Sequence, residues 1–232
     1  MSTGPTEETA PKKSLRPLLY RAGIAAGAAF AIMAALHTPA VRAKLLGASA
    51  GCPWGKPPDP KELEENRKAV AAKMRTDRRA TARPAFGFAL DRTTKAEVLA
   101  WGKAESRTCT DELGGAAIRC EASDAEKGVV RDAFFRFDPQ GKLVGVDLMR
   151  EGTDPEAAAA LVGKLESEVS NAAGKPSSTR GTVSGQHLGS GYLSQAAFEY
   201  RFADYAADIS ATNLGAQGIV VREQYRSLAN GS

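Results

Sequence analysis

The chain has 232 residues, of which 43% are hydrophobic and 25% are charged, a composition that is ordinary for a globular protein. Its formal net charge of +4 suits an anionic surface and gives no reason to expect a nucleic-acid partner. Aromatic residues make up only 6% of the chain and are concentrated after residue 85, so the packed domain is expected in the last two thirds.

An apolar segment follows a basic N-terminus. Residues 1–15 are polar and lack periodicity, and residues 1–21 are predicted to be a disordered basic N-terminus. Ala22–Val41 then provides about 20 residues, close to the length that crosses the hydrocarbon core of a bilayer. The cations before it would keep the N-terminus in the cytoplasm. We therefore predict a single-pass transmembrane or signal-anchor helix at 22–41, with the C-terminal domain outside the cytoplasm.

A cleaved signal peptide is the alternative interpretation of this segment. Pro39 would end the apolar helix, and Val41 and Ala43 are small residues placed as in a cleavage site, so the protein would be secreted or periplasmic after cleavage near Ala43. A buried cytosolic helix fits less well, because the run is apolar on all sides and flanked by cations. Lipidation at Cys52 is not expected, since the residues before it do not form a lipobox. Both favoured interpretations place the bulk of the chain outside the cytosol.

Residues 42–85 are predicted to form a linker with a charged helix over 59–80. Asp59, Pro60 and Glu62 form a helix-start signature, but apolar positions are few, so the helix is expected to be a stalk or to dock loosely. The linker cations are Arg67, Lys68, Lys73, Arg75, Arg78, Arg79 and Arg83. They are interpreted as a solvated face or, alternatively, as a contact with anionic phospholipid headgroups or an anionic envelope polymer.

Residues 86–152 are predicted to form a first α+β unit. Thr94 and Glu97 make a capping box that starts a helix, and Gly102-Lys103 ends it. The strands are expected around Ser106–Thr110, Ala117–Glu121, Val130–Phe137 and Lys142–Arg150. The last two form a hairpin whose turn contains Gly141. Its alternation predicts a core of Phe135, Phe137, Val144, Val146 and Leu148.

The pattern restarts in residues 153–232, the second predicted unit. A helix is expected from Asp154 to about Ala173, followed by a Gly/Ser-rich connection at Gly181–Gly191. Two long strands are then expected, Ala196–Ser210 with a bend near Asp204, and Gly218–Leu228. The predicted fold is α+β, with two helix-plus-antiparallel-strand units of the tandem α-β-β-β type after the linker.

The helix starts and ends of both units resemble those of small envelope modules typified by the BamE/SmpA outer-membrane lipoproteins and the β-lactamase-inhibitor protein. The matching residues are Thr94, Glu97, Val98, Gly102, Lys103, Gly174, Lys175 and Pro176. The resemblance covers about residues 86–228 and departs from the pattern at Asp154, which replaces the capping Thr, and in the missing lipobox. It implies a non-enzymatic protein-binding or assembly role across a sheet face, and it transfers no functional residue.

Two of the three cysteines are candidates for a disulfide bond. Cys109 and Cys120 lie on adjacent predicted strands across a Gly-Gly turn, so a cross-strand disulfide is the expected arrangement in an oxidising compartment. Two free or buried thiols, or a metal pair, are the alternatives. Cys52 would stay unpaired, as a link between two chains or as a bystander.

Motifs for catalysis and cofactor binding are missing from the sequence. There is no Gly-x-Ser-x-Gly elbow, His-Glu-x-x-His motif, Walker loop or dinucleotide fingerprint. His187 lies in the Gly/Ser-rich connection and is interpreted as a solvated loop residue. Asp204 and Asp208 are expected on one strand face, which is interpreted as solvated rather than catalytic. We therefore predict no catalytic, cofactor-binding or metal-binding residue.

The leading functional hypothesis is an exported, membrane-anchored, non-enzymatic interaction or assembly module of the cell envelope. Its expected partners are the membrane, through the N-terminal helix, and an envelope protein or an anionic polymer. The alternatives are a hydrolase or lyase that depends on acidic residues or on His187, and a small lipid or ligand carrier.

Overall fold

The computed structural model describes residues 59–122 and 128–229. The predicted anchor at Ala22–Val41, the cleavage site near Ala43, Cys52 and the basic N-terminus lie outside the described residues. Among the residues that are described, no helix is both long and apolar enough to cross a membrane.

The described chain contains four α-helices, eight strands and two short 3₁₀ turns. The helices are α1 (Pro60–Met74), α2 (Lys95–Ala104), α3 (Pro155–Ala173) and α4 (Gly185–Leu188). The strands are β1 (Thr108–Glu112), β2 (Ala117–Glu121), β3 (Asp132–Phe137), β4 (Leu143–Thr153), β5 (Ser178–Arg180), β6 (Gln195–Arg201), β7 (Tyr205–Asn213) and β8 (Ile219–Ser227). This confirms the mixed α+β class.

The eight strands form one antiparallel sheet in the order β1-β2-β3-β4-β8-β7-β6-β5. The first predicted unit supplies α2 and the four strands expected in it, one more than the α-β-β-β type has, and the second supplies α3, α4 and four strands. Two long strands were predicted in the second unit; the structure adds the short β5, which pairs with β6, and divides the first long strand into β6 and β7. The last strands of the two units, β4 and β8, are neighbours, so the two units share a single continuous sheet.

Two of the predicted elements have different boundaries in the structure. The predicted helix over 59–80 ends at Met74, because Arg75 takes an extended conformation and the chain then bonds to the β6–β7 turn, with the Ala203 N–H donating to the Arg78 carbonyl at 2.7 Å. The predicted long strand Ala196–Ser210 is two strands. A tight turn after Arg201 reverses the chain, so that β6 and β7 form a hairpin instead of one bent strand.

The inner face of the sheet, defined as the face that α2 and α3 cover, carries the core. One row of directly paired residues runs across six strands, and all of its members are buried: Ile118, Phe135, Val146, Tyr225, Ala207 and Tyr200. Val98 of α2 and Val162 and Val169 of α3 are buried in the same cluster. Since each buried aliphatic side chain contributes about 1.5–3 kcal/mol, this shared layer holds both helices on the sheet.

The predicted disulfide between Cys109 and Cys120 is present. The two cysteines are direct partners in the register of β1 and β2. Their sulfur atoms lie under α2 at Gly102, where a Cβ atom would overlap Sγ of Cys109. The glycine that was expected to mark the end of the helix therefore also makes room for the disulfide.

A buried ion pair joins the two units at the β4–β8 boundary. Arg150 of β4 donates to a carboxylate oxygen of Glu223 on β8, and the two residues are 8% and 1% exposed. The other carboxylate oxygen of Glu223 accepts a 2.5 Å hydrogen bond from the Tyr225 hydroxyl. Burial, together with the neighbouring Glu223, raises the pKa of Tyr225, so its hydroxyl remains a donor. The carboxylate is thereby satisfied on both oxygens inside the core.

Replacing Arg150 by Met should lower the free energy of unfolding by about 3–5 kcal/mol, because Glu223 would be left buried without its cation. The double variant Arg150→Met/Glu223→Gln should recover part of this loss, since it removes the uncompensated charge. Denaturant unfolding of the full chain measures both values.

The matched control is Arg131→Met, which removes an arginine that is 63% exposed and paired with Glu151. It should cost less than about 1 kcal/mol. An Arg150→Met variant no less stable than Arg131→Met would show that the buried pair does not hold the two units together.

Candidate interaction surface

The outer face of the sheet, defined as the face opposite α2 and α3, carries polar side chains from all eight strands. Its middle row, aligned by the strand register, consists of Thr110, Arg119, Phe134, Asp147, Gln224, Asp208, Glu199 and Ser178. Alternation within each strand places these residues opposite the buried row, because successive side chains of a strand point to opposite faces.

Two further rows flank the middle row. On the side nearer α1 the row is Ala117, Arg136, Gly145, Arg226, Ala206 and Arg201. On the other side it is Glu121, Asp132, Met149, Arg222, Ser210, Ala197 and Arg180. The flanking rows thus carry five arginines, while the middle row carries three carboxylates. The outer face is a mosaic of guanidinium groups and carboxylates; at the β1–β3 edge the acids Glu121 and Asp132 flank Arg119 of the middle row.

Asp147 is the centre of one part of this mosaic. Its Oδ1 accepts a 2.9 Å hydrogen bond from Nε of Arg222, and its Oδ2 accepts from Nη2 of the same arginine and, at 2.6 Å, from Gln224. The hydrogen bond to Asp147 raises the pKa of Arg222. Because Asp147 belongs to β4 and both donors belong to β8, this cluster crosses the boundary between the two units.

Asp208 holds a second cluster on the next strand. Its Oδ1 accepts from Nη2 of Arg201 at 2.5 Å, and its Oδ2 accepts from Nη1 of Arg226 at 3.2 Å. Arg226 also donates to Gln224 at 2.9 Å, which links this cluster to the one around Asp147. A carboxylate shared by two guanidinium groups fixes both of them, so the arginines of this face are preorganised.

A third cluster lies at the β1–β3 edge. Nη2 of Arg119 is 2.5 Å from Asp132 and 2.9 Å from Glu121. The hydrogen bond from Arg119 to Asp132 raises the pKa of that arginine. A polar cleft of about 430 Å³ adjoins this cluster and is also lined by Arg131 and Glu151.

Helix α1 covers only one end of the outer face. Ala71 of α1 packs against Ala206 and Leu228, with Met74 beside them. Nη1 of Arg226 approaches the Met74 sulfur at 3.7 Å. The middle row and the row that contains Arg222 lie beyond the reach of these contacts, so most of the mosaic stays open.

The linker cations have diverse surroundings. Arg67 makes two hydrogen bonds to Glu64, Arg75 donates to the Leu228 carbonyl, and Arg83 pairs with Asp91 at 2.5 Å. Arg78 stacks over the Phe202 ring at 4.9 Å. Lys68, Lys73, Arg78 and Arg79 are exposed. Some of the linker cations therefore attach the linker to the two α+β units. Contact with an anionic surface stays a prediction for the exposed cations.

The histidine and the aspartate pair considered for catalysis are separated. His187 lies on α4, half-buried rather than in a free loop, and its Nε2 is 3.1 Å from the Gln195 carbonyl oxygen. Asp204 lies in the β6–β7 turn and accepts from the Ala80 N–H at 3.1 Å, whereas Asp208 lies on β7. The expectation that both aspartates share one strand is wrong, because the turn intervenes.

The outer-face arginines were not predicted as functional candidates from the sequence. Alternation in β8 was a usable signal, since Arg222, Gln224 and Arg226 alternate with the inward-facing Val221, Glu223 and Tyr225. Their acidic partners could not be found in this way. The register between β4 and β8 joins strands from separate units, and no local pattern encodes it.

No known protein family, curated protein or solved structure matches this chain. The resemblance to the BamE/SmpA proteins and the β-lactamase-inhibitor protein stays a prediction from short motifs. Within residues 59–122 and 128–229, no group of three or more His, Cys, Asp and Glu side chains is arranged to hold a metal ion.

Replacing Asp147 by Asn should lower the free energy of unfolding by about 1.5–3 kcal/mol, the range for hydrogen bonds to charged groups, because its 12%-exposed carboxylate organises Arg222 and Gln224. Asp111→Asn is the matched control, since Asp111 is 64% exposed and pairs with Lys95 alone. The control should cost less than about 1 kcal/mol in the same denaturant titration. Equal losses in the two variants would contradict a preorganised cluster.

Proposed function

We propose that this protein is an exported, membrane-anchored interaction module of the cell envelope that binds a partner protein through the outer face of its sheet, without an enzymatic activity. The observation that carries the proposal is the arginine–carboxylate mosaic, which extends over both units and remains open outside the area that α1 covers. The most suitable partner is an envelope protein whose surface combines acidic and basic side chains.

The composition of the outer face supports protein binding. Arginine is enriched in protein interfaces and in their energetically dominant positions. Here Arg201 and Arg222 are held by carboxylates before any partner arrives, which lowers the entropy lost on binding. A face with alternating charge also disfavours partners with a uniform charge, because some of their charges would meet like charges.

The disulfide between Cys109 and Cys120 supports export. Disulfides persist in oxidising compartments such as the periplasm and are rare in the cytosol. The apolar segment Ala22–Val41 supports the same location and adds the membrane anchor. Exposed linker cations, among them Lys68 and Arg79, would lie close to that membrane and favour anionic lipid headgroups.

The resemblance of the two helix-plus-strand units to small envelope modules supports a binding role rather than catalysis. Such modules bind proteins across a sheet face, and the outer face described above has the position that this role requires. An anionic envelope polymer is the second type of partner, and it would be favoured if binding depended on the linker cations instead of the outer face.

A photo-crosslinking amino acid placed at Ser210, in the middle of the outer face, should capture a protein of discrete mass in intact cells. The same substitution at Glu168, which is 58% exposed on α3, should capture much less, because α3 covers the opposite face. Charge reversal at Arg222 should reduce the Ser210 adduct about tenfold, the loss expected for one charge-assisted contact. Equal capture at both positions, or none at Ser210, would refute binding through the outer face.

Two kinds of reporter are fused after residue 50 and at the C-terminus: one that is active only outside the cytoplasm and one that is active only inside it. At both positions only the first kind should be active. A non-reducing gel of the same samples should show Cys109 and Cys120 joined, with mobility that changes on reduction, as an oxidising compartment requires. A shortened product would identify cleavage near Ala43, and full-length membrane-bound protein would identify an anchor. A soluble cytosolic product with free thiols would contradict export.

A further inference from the structure

Two adjoining cavities lie where α1 meets the sheet. One has a volume of about 350 Å³ and extends toward the β3–β4 turn at Asp138, and the other has about 330 Å³ and extends toward Leu228. Four residues line both cavities: Leu63, Arg67, Arg136 and Val144. The cavities therefore form one groove along α1, and each is as large as a small-molecule site, for which about 300–1,000 Å³ is usual.

Helix α1 makes few close contacts with the sheet, which leaves the groove between them, and the walls combine apolar side chains with the charged Glu64, Arg67, Lys95 and Asp138. Among the α1 side chains that the structure describes, Ala71 is the buried one, and Val70 is 50% exposed. Val70 and Met74 of α1 line the second cavity together with Leu228. The apolar part of the wall suits a hydrocarbon chain, since moving its CH₂ groups out of water is favourable.

Arg136 provides a positive charge at the junction of the two cavities. Within the described part of the chain its guanidinium makes no hydrogen bond, and its nearest carboxylate, Asp147, is 3.9 Å away. Asp147 is already engaged by Arg222 and Gln224. The guanidinium lies over the Phe134 ring at 5.4 Å, and burial lowers the pKa of Arg136. A partly desolvated guanidinium whose ion pair with Asp147 is long favours a closer anion.

We propose that this groove binds a membrane lipid, with one acyl chain between α1 and the sheet and its phosphate on the guanidinium of Arg136. A guanidinium presents paired N–H donors that match a phosphate group. The lipid would come from the bilayer of the proposed anchor, so this source rests on the proposed function; in the sequence, α1 begins at Pro60, shortly after the apolar segment that ends at Val41. The site adjoins the outer face through Arg136, but its ligand is a lipid, whereas the protein-binding role is carried by Arg222, Asp208 and their neighbours.

The test uses the full chain in nanodiscs of phosphatidylcholine and a dodecyl phosphate that carries a photoreactive diazirine in its chain. Illumination followed by peptide mapping should place the adduct on residues that line the groove, such as Leu63, Val70 or Val144. Arg136→Gln should reduce this adduct about tenfold, the loss expected for one charge-assisted hydrogen bond. An uncharged probe, the corresponding diazirine dodecanol, should label the groove at that same reduced level in the unmodified protein.

Two further variants keep the result interpretable. Arg131→Gln is the matched control, since it removes an exposed arginine that pairs with Glu151 at the other end of the sheet, and it should leave the adduct unchanged. Val70→Trp should reduce the adduct without changing any charge, because it fills the groove from an exposed position of α1. The oxidised Cys109–Cys120 bond and the circular dichroism spectrum report correct folding of each variant.

Several results would overturn the proposal. Equal labelling by the phosphate and the alcohol, or an adduct that persists in Arg136→Gln, would show that the guanidinium does not select the ligand. Labelling confined to residues before Asp59 would show that the probe stays in the bilayer or that the preceding chain fills the groove. Neither result would bear on the capture of a protein at Ser210, so failure of the lipid site and failure of the proposed function are distinguishable.

Discussion

The antiparallel pairing of β4 with β8 joins the last strands of two helix-plus-strand units into one sheet. This pairing brings α2 and α3 to the same face and merges their apolar contacts into one core. It also places Arg150 and Glu223 side by side in the interior, where the Tyr225 hydroxyl completes the carboxylate's hydrogen bonding. An ion pair of this kind contributes little net stability compared with apolar residues in its place. Removing only one of the two partners is costly, because the other charge stays buried. The ion pair therefore favours the native register over a shifted one.

The same pairing creates the outer face as a continuous surface. Asp147 comes from the first unit, whereas Arg222 and Gln224 come from the second, so the cluster around Asp147 exists only when β4 and β8 are joined. Because a one-residue slip in a strand exchanges its two faces, a shift of β8 by one residue would bury arginines and expose the core. The register of β4 with β8 therefore determines both faces of the sheet. The arginines of the mosaic are held by the same strands that form the core.

Local patterns predicted the parts of the fold that local interactions determine. The capping box at Thr94 and the helix from Asp154 appear as expected, and the Cys109–Cys120 bond follows from two short strands. The β6–β7 turn was missed because it contains no glycine or proline and is stabilised from outside, by the hydrogen bond of Ala203 to Arg78. The outer-face clusters were missed for a related reason: their partners lie on strands that are distant in sequence, and only the tertiary register brings them together.

Helix α1 packs on the outer face of the sheet and forms one wall of the groove. Its apolar contact with the sheet is limited to Ala71 and its neighbours, so much of its placement depends on the extended segment that follows, where Arg75 and Arg78 donate to carbonyl groups of the head. A helix held mainly at one end leaves a groove along the rest of its length. Arg136 lines that groove and also belongs to the outer face, 3.9 Å from Asp147. A phosphate on Arg136 would draw it away from Asp147 and leave that carboxylate to Arg222 and Gln224. If lipid binding at Arg136 changes the affinity for a partner that contacts Asp147, thermodynamic reciprocity requires that the partner change the affinity for lipid by the same factor.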